Sequence, residues 1–142
     1  AKMVNAVANS VVPKFTIITG NSFGAGNYAM CGKAYDPRLI VSWPWAELAV
    51  MGGSQAAKVL VQIQESTLKK QGKEITTEEH NELVEKITQN YTKQTKVEYS
   101  AARIWVDAII NPLDTRKWIS AGIEVANNSP ITDKFNLGVI QV

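Results

Sequence analysis

Residues 20–26 hold three glycines in seven positions, between two segments of different character. Residues 15–19 before them are largely aromatic and β-branched, as in a short buried strand. Residues 27–31 after them are mostly small or apolar and are followed by Gly32, a pattern typical of a short buried helix and its end. The chain must change from strand to helix within residues 20–26, where glycine permits backbone torsions that other residues resist. A strand–loop–helix unit is therefore predicted here.

Strands and helices alternate through the first half of the chain. A helix with apolar residues from Met3 to Val11 comes first. Because no capping residue precedes it and the chain has no initiator Met, we expect a fragment or a product of processing. Residues 39–43 and 47–51 predict further strands. Ser54 is predicted to cap the next helix, whose inner side would carry Ala56, Ala57, Leu60, Ile63 and Gln64.

The second half is predicted to be mainly helical. Thr76 and Glu79 stand at capping-box spacing before an amphipathic surface helix, whose apolar stripe is Leu83, Val84, Ile87 and Tyr91. Residues 101–110 are rich in apolar side chains and should be well buried, Ile104, Trp105 and Ile109 among them. Pro112 can open the last helix, with Trp118, Ile119, Gly122, Ile123 and Ala126 on its inner face. The pattern predicts an α/β layered domain with a helical extension.

Composition excludes several classes of partner. Fifteen Lys+Arg against thirteen Asp+Glu give the 142 residues a formal net charge of +2, too little to indicate nucleic acid or an anionic membrane as partner. No apolar run approaches the roughly 18 residues of a membrane span. The single cysteine, Cys31, excludes an internal disulfide and fits a reducing compartment.

The glycine-rich segment suits an anion, because glycines let a ligand approach the main chain and the next helix offers free N–H donors. A tight turn that serves only packing is the simplest alternative. Residues 24–29 also match a loose dinucleotide-binding pattern, with Glu47 some twenty residues on. A phosphate-binding P-loop fails, since no Gly-Lys-Ser/Thr follows. An oxyanion hole of backbone amides needs only small residues and a turn, and this segment offers both.

Conventional catalytic side chains are scarce in this sequence. His80, the one histidine, lies in a charged run on a predicted surface helix. Cys31 has apolar neighbours, which favours a buried structural thiol over a nucleophile. No residues stand at metal-ligand spacing, so no metal site is predicted. Backbone donors would therefore carry much of any catalysis.

Six motifs follow one another over most of the chain, at residues 12–16, 21–32, 34–38, 50–57, 107–112 and 115–117. In this order they resemble the carboxyltransferase (β) subunits of biotin-dependent acyl-CoA carboxylases, in the methylcrotonoyl-CoA carboxylase branch. The resemblance implies a crotonase-like (ClpP/crotonase) fold built from two related halves. Residues 1–130 would be the C-terminal part of the biotin-side half, and residues 131–142 a tail.

The resemblance also implies the site. Two backbone amides, here those of Ala25 and Gly26, would stabilise negative charge on the ureido oxygen of biotin, and biotin itself would serve as the base. Phe23, Gly24 and Asn27 would line the biotin pocket. Tyr28 falls where a residue helps to select the acyl group in related enzymes. Gly52 and Gly53, with Met51, would form an adjoining wall or simply a second tight turn.

By the same resemblance, the cofactors are biotin on a partner carrier domain and an acyl-CoA substrate, with a branched unsaturated acyl group fitting best. Expected partners are the N-terminal CoA-binding half, a biotin carboxylase or carrier subunit and further copies in a hexamer. The location would be cytoplasmic, or the mitochondrial matrix in a eukaryote. A non-catalytic assembly module of the same fold and a dinucleotide-binding domain remain as alternatives.

Overall fold

The structure is a computed structural model that describes residues 2–72, 76–129 and 134. Five strands form two parallel sheets. The larger sheet contains β1 (Phe15–Ile18), β3 (Leu39–Ser42) and β5 (Ala108–Ile109), in the order β1-β3-β5. The smaller sheet pairs β2 (Asn21–Phe23) with β4 (Glu47–Ala49). Because every pairing is parallel, the carboxyl ends of β2 and β4 lie at the same edge.

Six helices complete the described part of the chain. They are α1 (Lys2–Asn9), α2 (Gly24–Ala29), α3 (Gly53–Lys70), α4 (Thr77–Thr95), α5 (Val97–Ala101) and α6 (Thr115–Asn127). Short 3-10 turns occupy Lys33–Tyr35 and Pro112–Asp114. Four of the five described strands alternate with helices in the first half, and helices fill most of the second, as the sequence predicts. In the described residues no helix is both long and apolar enough to cross a membrane.

The core forms around β3, the middle strand of the larger sheet. Ile40, Val41 and Ser42 are almost wholly inaccessible to solvent, as expected for a central parallel strand that is covered on both faces. A cluster of apolar side chains joins the two sheets to α5, and its buried members are Ile18, Ile40, Ala46, Leu48, Val97 and Val106. This cluster fixes the edge of β2 and β4 relative to the larger sheet.

Helix α3 differs from its prediction at its start and in its buried face. Gly52 is the N-cap and Gly53 the first helical residue, so Ser54 is not the cap. Ala56, Ala57 and Val61 are buried, whereas Leu60 and Ile63 expose 39% and 56% of their surface. The two alanines allow close approach to the rest of the fold, and α3 packs lengthwise against α4.

Helix α4 begins with the predicted capping box. Thr76 Oγ1 accepts a hydrogen bond from the backbone N–H of Glu79 at 3.3 Å, and the Glu79 carboxylate accepts one from the N–H of Thr76 at 2.9 Å. The predicted stripe of Leu83, Val84, Ile87 and Tyr91 is half-buried. Across the hairpin, His80 Nδ1 lies 2.6 Å from Glu65 Oε1 of α3.

Residues 101–110 are less buried than predicted. Val106 and Ile110 are buried, but Ile104, Trp105 and Ile109 are exposed. In the turn after α5, where Ile104 has φ +59°, the consecutive side chains of Ile104 and Trp105 are exposed and that of Val106 is buried. In α6, Ile119, Gly122 and Ala126 are half-buried as expected, whereas Trp118 and Ile123 are exposed. The predicted tail falls outside the described residues except for Lys134.

Candidate functional site

Strand β2 passes directly into helix α2, with no loop between them. Residues 21–23, predicted as loop, pair instead with β4, and the helix begins at Gly24 rather than at Asn27. The predicted loop is therefore wrong for most of residues 20–26, because pairing with a distant strand overrides their turn-like composition. None of the six described residues of α2 is buried, which also corrects the prediction of a buried helix.

Gly24 cannot be replaced by a larger residue without distortion. Its φ is +52°, in the left-handed region that favours glycine. In addition, a Cβ placed there would lie 2.9 Å from the backbone oxygen of Val50, just beyond β4. Gly24 thus allows the start of α2 to lie against the chain that leaves the neighbouring strand.

The amides of Ala25 and Gly26 lie in the first turn of α2. Both residues are exposed. The N-cap is Phe23, an apolar residue, and no side chain in the described ranges caps this helix end by a hydrogen bond. First-turn N–H groups have no partner within their own helix, so these amides can donate to an external acceptor.

Asn27 holds the segment together. Its Nδ2 donates to Ser22 Oγ at 2.8 Å, and its backbone oxygen accepts from the N–H of Gly32 at 2.7 Å. A Cβ at Gly32 would collide with the Asn27 side chain. Asn27 therefore ties β2 to the end of α2, which sets the direction in which the first-turn amides point.

Helix α3 starts beside α2, at the same edge of the β2–β4 pair. A Cβ at Gly52 would lie 3.8 Å from the Phe23 ring, and one at Gly53 would lie 3.8 Å from the Tyr91 ring. The N–H of Met51 donates to the Tyr91 hydroxyl at 3.3 Å. Phe23 and Gly52 are thus neighbours, and Gly53 faces α4.

A cavity of about 390 Å³ lies along the flank of α2. Of the eight predicted site residues it includes Gly24, Asn27 and Tyr28, spaced to share one face of the helix. The remaining five predicted residues do not line it. Its other lining residues are Lys33, Ala34, Ile40, Leu48, Ala49, Val50 and Trp105.

Lys33 and Trp105 are lining residues that the sequence patterns did not indicate. Lys33 Nζ lies 3.5 Å from Asp107 Oδ1, and Asp107 Oδ2 accepts a hydrogen bond from the N–H of Ile40 at 2.8 Å. These contacts join residues that are 74 and 67 positions apart in sequence. No local sequence pattern marks them, since only the pairing of β3 with β5 places them together.

The other candidate residues do not join this site. Cys31 is buried, as predicted, but it lies past the end of α2 with φ +62° and its Sγ is 3.8 Å from the backbone oxygen of Tyr35. His80 sits on the α3–α4 hairpin beside Glu65. Within the described ranges no group of three or more His, Cys, Asp or Glu side chains could hold a metal.

The dinucleotide pattern does not have the geometry of that motif. Its residues, Gly24–Ala29, all lie inside α2, whereas a dinucleotide-binding motif needs its first glycines in the turn between strand and helix. The observed arrangement offers two other things: free amides at the end of a helix and an apolar cavity on its flank. It can hold a small anionic atom and an apolar group side by side.

The chain belongs to the carboxyl transferase domain family, whose model matches residues 1–137. Its fold is the crotonase-like α/β fold of carboxyltransferase β subunits, as the sequence predicts.

Among curated relatives, the mitochondrial methylcrotonoyl-CoA carboxylase beta chain of Arabidopsis thaliana is 50% identical over 133 residues, which is 94% of this chain and 23% of the relative. The beta1 subunit of the biotin-dependent 3-methylcrotonyl-coenzyme A carboxylase of Mycobacterium tuberculosis is 42% identical over the whole chain and 27% of the relative. The chain therefore spans about a quarter of the length of these relatives.

Solved structures give the same result. The beta subunit of geranyl-CoA carboxylase from P. aeruginosa superposes with a TM-score of 0.77 at 36% identity, over 94% of this chain and 25% of that one. The transcarboxylase 12S structure, described as a hexamer assembly with methylmalonyl-coenzyme A bound, has a TM-score of 0.75 at 26% identity. It covers 93% of this chain and 23% of that one.

Proposed function

We propose that this chain is part of an acyl-CoA carboxyltransferase that moves a carboxyl group from carboxybiotin to a branched, unsaturated acyl-CoA of the methylcrotonoyl type. The observation that carries the proposal is the exposed first turn of α2, at the edge where β2 and β4 both end. Ligands of open α/β sheets characteristically bind beyond the carboxyl ends of the strands. Two relatives named for methylcrotonoyl-CoA carboxylation support the choice of acyl group.

The site residues have distinct roles in this proposal. Biotin, bound on its carrier, would supply the carboxyl group and the base. The N–H groups of Ala25 and Gly26 donate to its ureido oxygen and stabilise the negative charge that develops there. Gly24 and Asn27 hold these amides in place through the contacts with Val50 and Ser22. Phe23 and Gly52 form the apolar wall beside them.

Because donors of this kind are fixed before the reaction, they need no reorganisation when charge appears. A solvating side chain would have to be reoriented, whereas a first-turn amide is held by its helix. His80, which lies beside Glu65 on the α3–α4 hairpin, has no catalytic role in this proposal. The enolate of the acyl-CoA would be held by a second pair of amides in the N-terminal half of the subunit.

The proposed partners are those that the resemblance implies. They are the CoA-binding half of the same subunit, a biotin carboxylase with its biotin carrier, and further copies in a hexamer, the assembly named for the transcarboxylase 12S structure. Three relatives, from Arabidopsis thaliana, Dictyostelium discoideum and Drosophila melanogaster, are named as mitochondrial. We accordingly propose the cytoplasm, or the mitochondrial matrix in a eukaryotic cell, as the location.

Removal of one amide tests the proposal directly. In the full-length subunit, assembled with its biotin-carrying partner, Ala25→Pro deletes an N–H in the first turn of α2, where no hydrogen bond within the helix is lost. Loss of one oxyanion donor should lower kcat for carboxyl transfer by about a hundredfold to a thousandfold. Ala25→Ser, which keeps the N–H, is the matched control and should remain within a few-fold of the parent.

A second measurement isolates the biotin side. Release of carbon dioxide from the carboxylated carrier, followed without acyl-CoA, should fall in Ala25→Pro and persist in Ala25→Ser. Equal rates for the two variants in a folded assembly would remove Ala25 from the oxyanion hole. An assembly that carboxylates no acyl-CoA at all would refute the proposed activity.

A further inference from the structure

We infer that Trp105 is a specificity-determining residue, whose indole closes the cavity on the flank of α2 and limits the length of the acyl chain that enters it. This inference deepens the proposed function and rests on it. Tyr28 and Trp105 are the aromatic lining residues of the cavity, and its inner surface is formed by Ile40, Leu48 and Ala49. Most lining residues are apolar, and the charged one, Lys33, is paired with Asp107. Such a lining suits a hydrocarbon chain better than a charged group.

Both aromatic rings are braced from behind by a tyrosine. The Trp105 ring meets the Tyr99 ring edge-on, with centroids 6.1 Å apart, and the Tyr28 ring meets that of Tyr35 at 5.8 Å. Arg103 covers the Tyr99 ring, 3.2 Å from its centroid. Edge-to-face contacts of this kind favour one ring orientation, so Tyr99 supports the Trp105 indole in the position where it lines the cavity.

The backbone around Trp105 is equally constrained. Ile104, immediately before it, has φ +59°, a conformation that is unfavourable for a β-branched residue. The N–H of Trp105 donates to the backbone oxygen of Ser100 at 3.0 Å, and that of Asp107 to Ile40 at 2.8 Å. Strained backbone persists only where its surroundings hold it, and it is commonly found at ligand sites. Here the strain accompanies a ring that lines the cavity.

The cavity is distinct from the amide site in position. Gly24, Asn27 and Tyr28 share a side of α2 and line the cavity, whereas Ala25 and Gly26 do not. A reaction between two substrates needs two such subsites next to each other, one polar and one apolar. We therefore assign the cavity to the acyl chain. The ring system of biotin is the alternative occupant of the cavity, and the experiment below distinguishes it from the acyl chain.

The test measures kcat/KM for a series of acyl-CoA esters of increasing chain length, in the full-length assembled enzyme. Trp105→Ala should raise the ratio of long-chain to short-chain kcat/KM by about tenfold or more, because each methylene accommodated in an apolar pocket changes kcat/KM by about tenfold or more. Trp105→Phe retains a ring against Tyr99 and should shift the ratio in the same direction by a smaller factor. If Trp105→Ala does not fold, the ratio measured for Trp105→Phe tests the inference. Trp45→Ala removes an exposed tryptophan away from the cavity and should leave the ratio unchanged.

Carbon dioxide release from the carboxylated carrier, without acyl-CoA, separates the possible outcomes. A changed chain-length ratio with normal release supports the inference. An unchanged ratio in folded variants overturns it and leaves the proposed function intact. A release rate that falls in Trp105→Ala with no change in the ratio assigns the cavity to biotin and overturns the inference as well. Absence of carboxylation in the parent enzyme refutes the proposed function itself.

Discussion

At the scale of single residues, Gly24 shows how closely the start of α2 is fixed. Its positive φ and the nearby backbone oxygen of Val50 exclude a side chain for separate reasons. Gly20 and Gly26 have open space where a Cβ would stand, within the described part of the chain. Of the three glycines in residues 20–26, only Gly24 is therefore required by conformation and by packing.

We expect Gly24→Ala to destabilise the junction of β2 and α2 by about 2 kcal/mol or more. The left-handed conformation alone costs an L-residue about 1–2 kcal/mol, and the contact with Val50 adds to it. Hydrogen exchange of the α2 amides, together with the rate of carboxyl transfer, measures the effect. Gly20→Ala is the control and should change neither quantity appreciably. Parental exchange rates in Gly24→Ala would show that the chain accommodates an added Cβ beside the Val50 backbone oxygen without loss of stability, which would contradict this prediction.

At the scale of secondary-structure elements, features set by residues close in sequence can be predicted, whereas strands that exist only through pairing with a distant strand cannot. The capping box of α4 involves residues three apart, so sequence alone located it. Strand β2 has only three residues of turn-like composition, and it exists because β4, more than twenty positions later, pairs with it. The predicted start of α3 at Ser54 is wrong because the observed N-cap, Gly52, has no side chain that could be recognised as a capping residue in the sequence.

The capping box predicts a measurable local effect. Thr76→Ala removes the oxygen that accepts from the Glu79 N–H, and it should lower the opening free energy of the first turns of α4 by about 1 kcal/mol. Hydrogen exchange in those turns is the measurement. Thr76→Ser keeps the hydroxyl and should retain most of the protection. Equal protection in the two variants would mean that the cap contributes little.

The same turn should depend on pH. Hydrogen bonds from the backbone and side chain of Thr76 lower the pKa of Glu79 below its ordinary value of 4.5. A lowered folded-state pKa gives stabilisation that is present above the ordinary value and is lost as the pH falls through the lower one. Protection of the first turn of α4 should therefore decline on acidification below 4.5. In Glu79→Gln, which cannot ionise, protection of this turn should depend less on pH. If the loss of protection on acidification is the same as in the parent, other carboxylates cause it.

At the scale of the whole molecule, the site depends on contacts between distant parts of the chain. The amide positions could be predicted from the resemblance, since its motifs are contiguous in sequence. Trp105 and Lys33 reach the cavity only because β5 pairs beside β3, and nothing near them in sequence marks that role. The predicted burial of Ile104 and Ile109 is wrong, because the apolar content of a segment does not by itself distinguish its buried side chains from its exposed ones.

Exposed apolar side chains predict the behaviour of the isolated 142-residue chain. Leu113 and Val125 expose 91% and 70% of their surface, and Ile104 exposes 71%. We expect concentration-dependent self-association, measured by light scattering, with the Leu113→Ser/Val125→Ser double variant associating less. Ser129→Ala, at an exposed polar position, should behave like the parent. A parent chain that stays monomeric at all concentrations would contradict this expectation.

The strand order β1-β3-β5 has a consequence for synthesis on the ribosome. Each strand pairs with one that has already been made, so the larger sheet can grow outward while the chain is still being translated. The last addition is delayed, because α3, α4 and α5 must be synthesised between β3 and β5. At roughly 5–20 residues per second, one edge of β3 stays open for several seconds, and this is when the nascent chain is most exposed to wrong strand pairing and to chaperones.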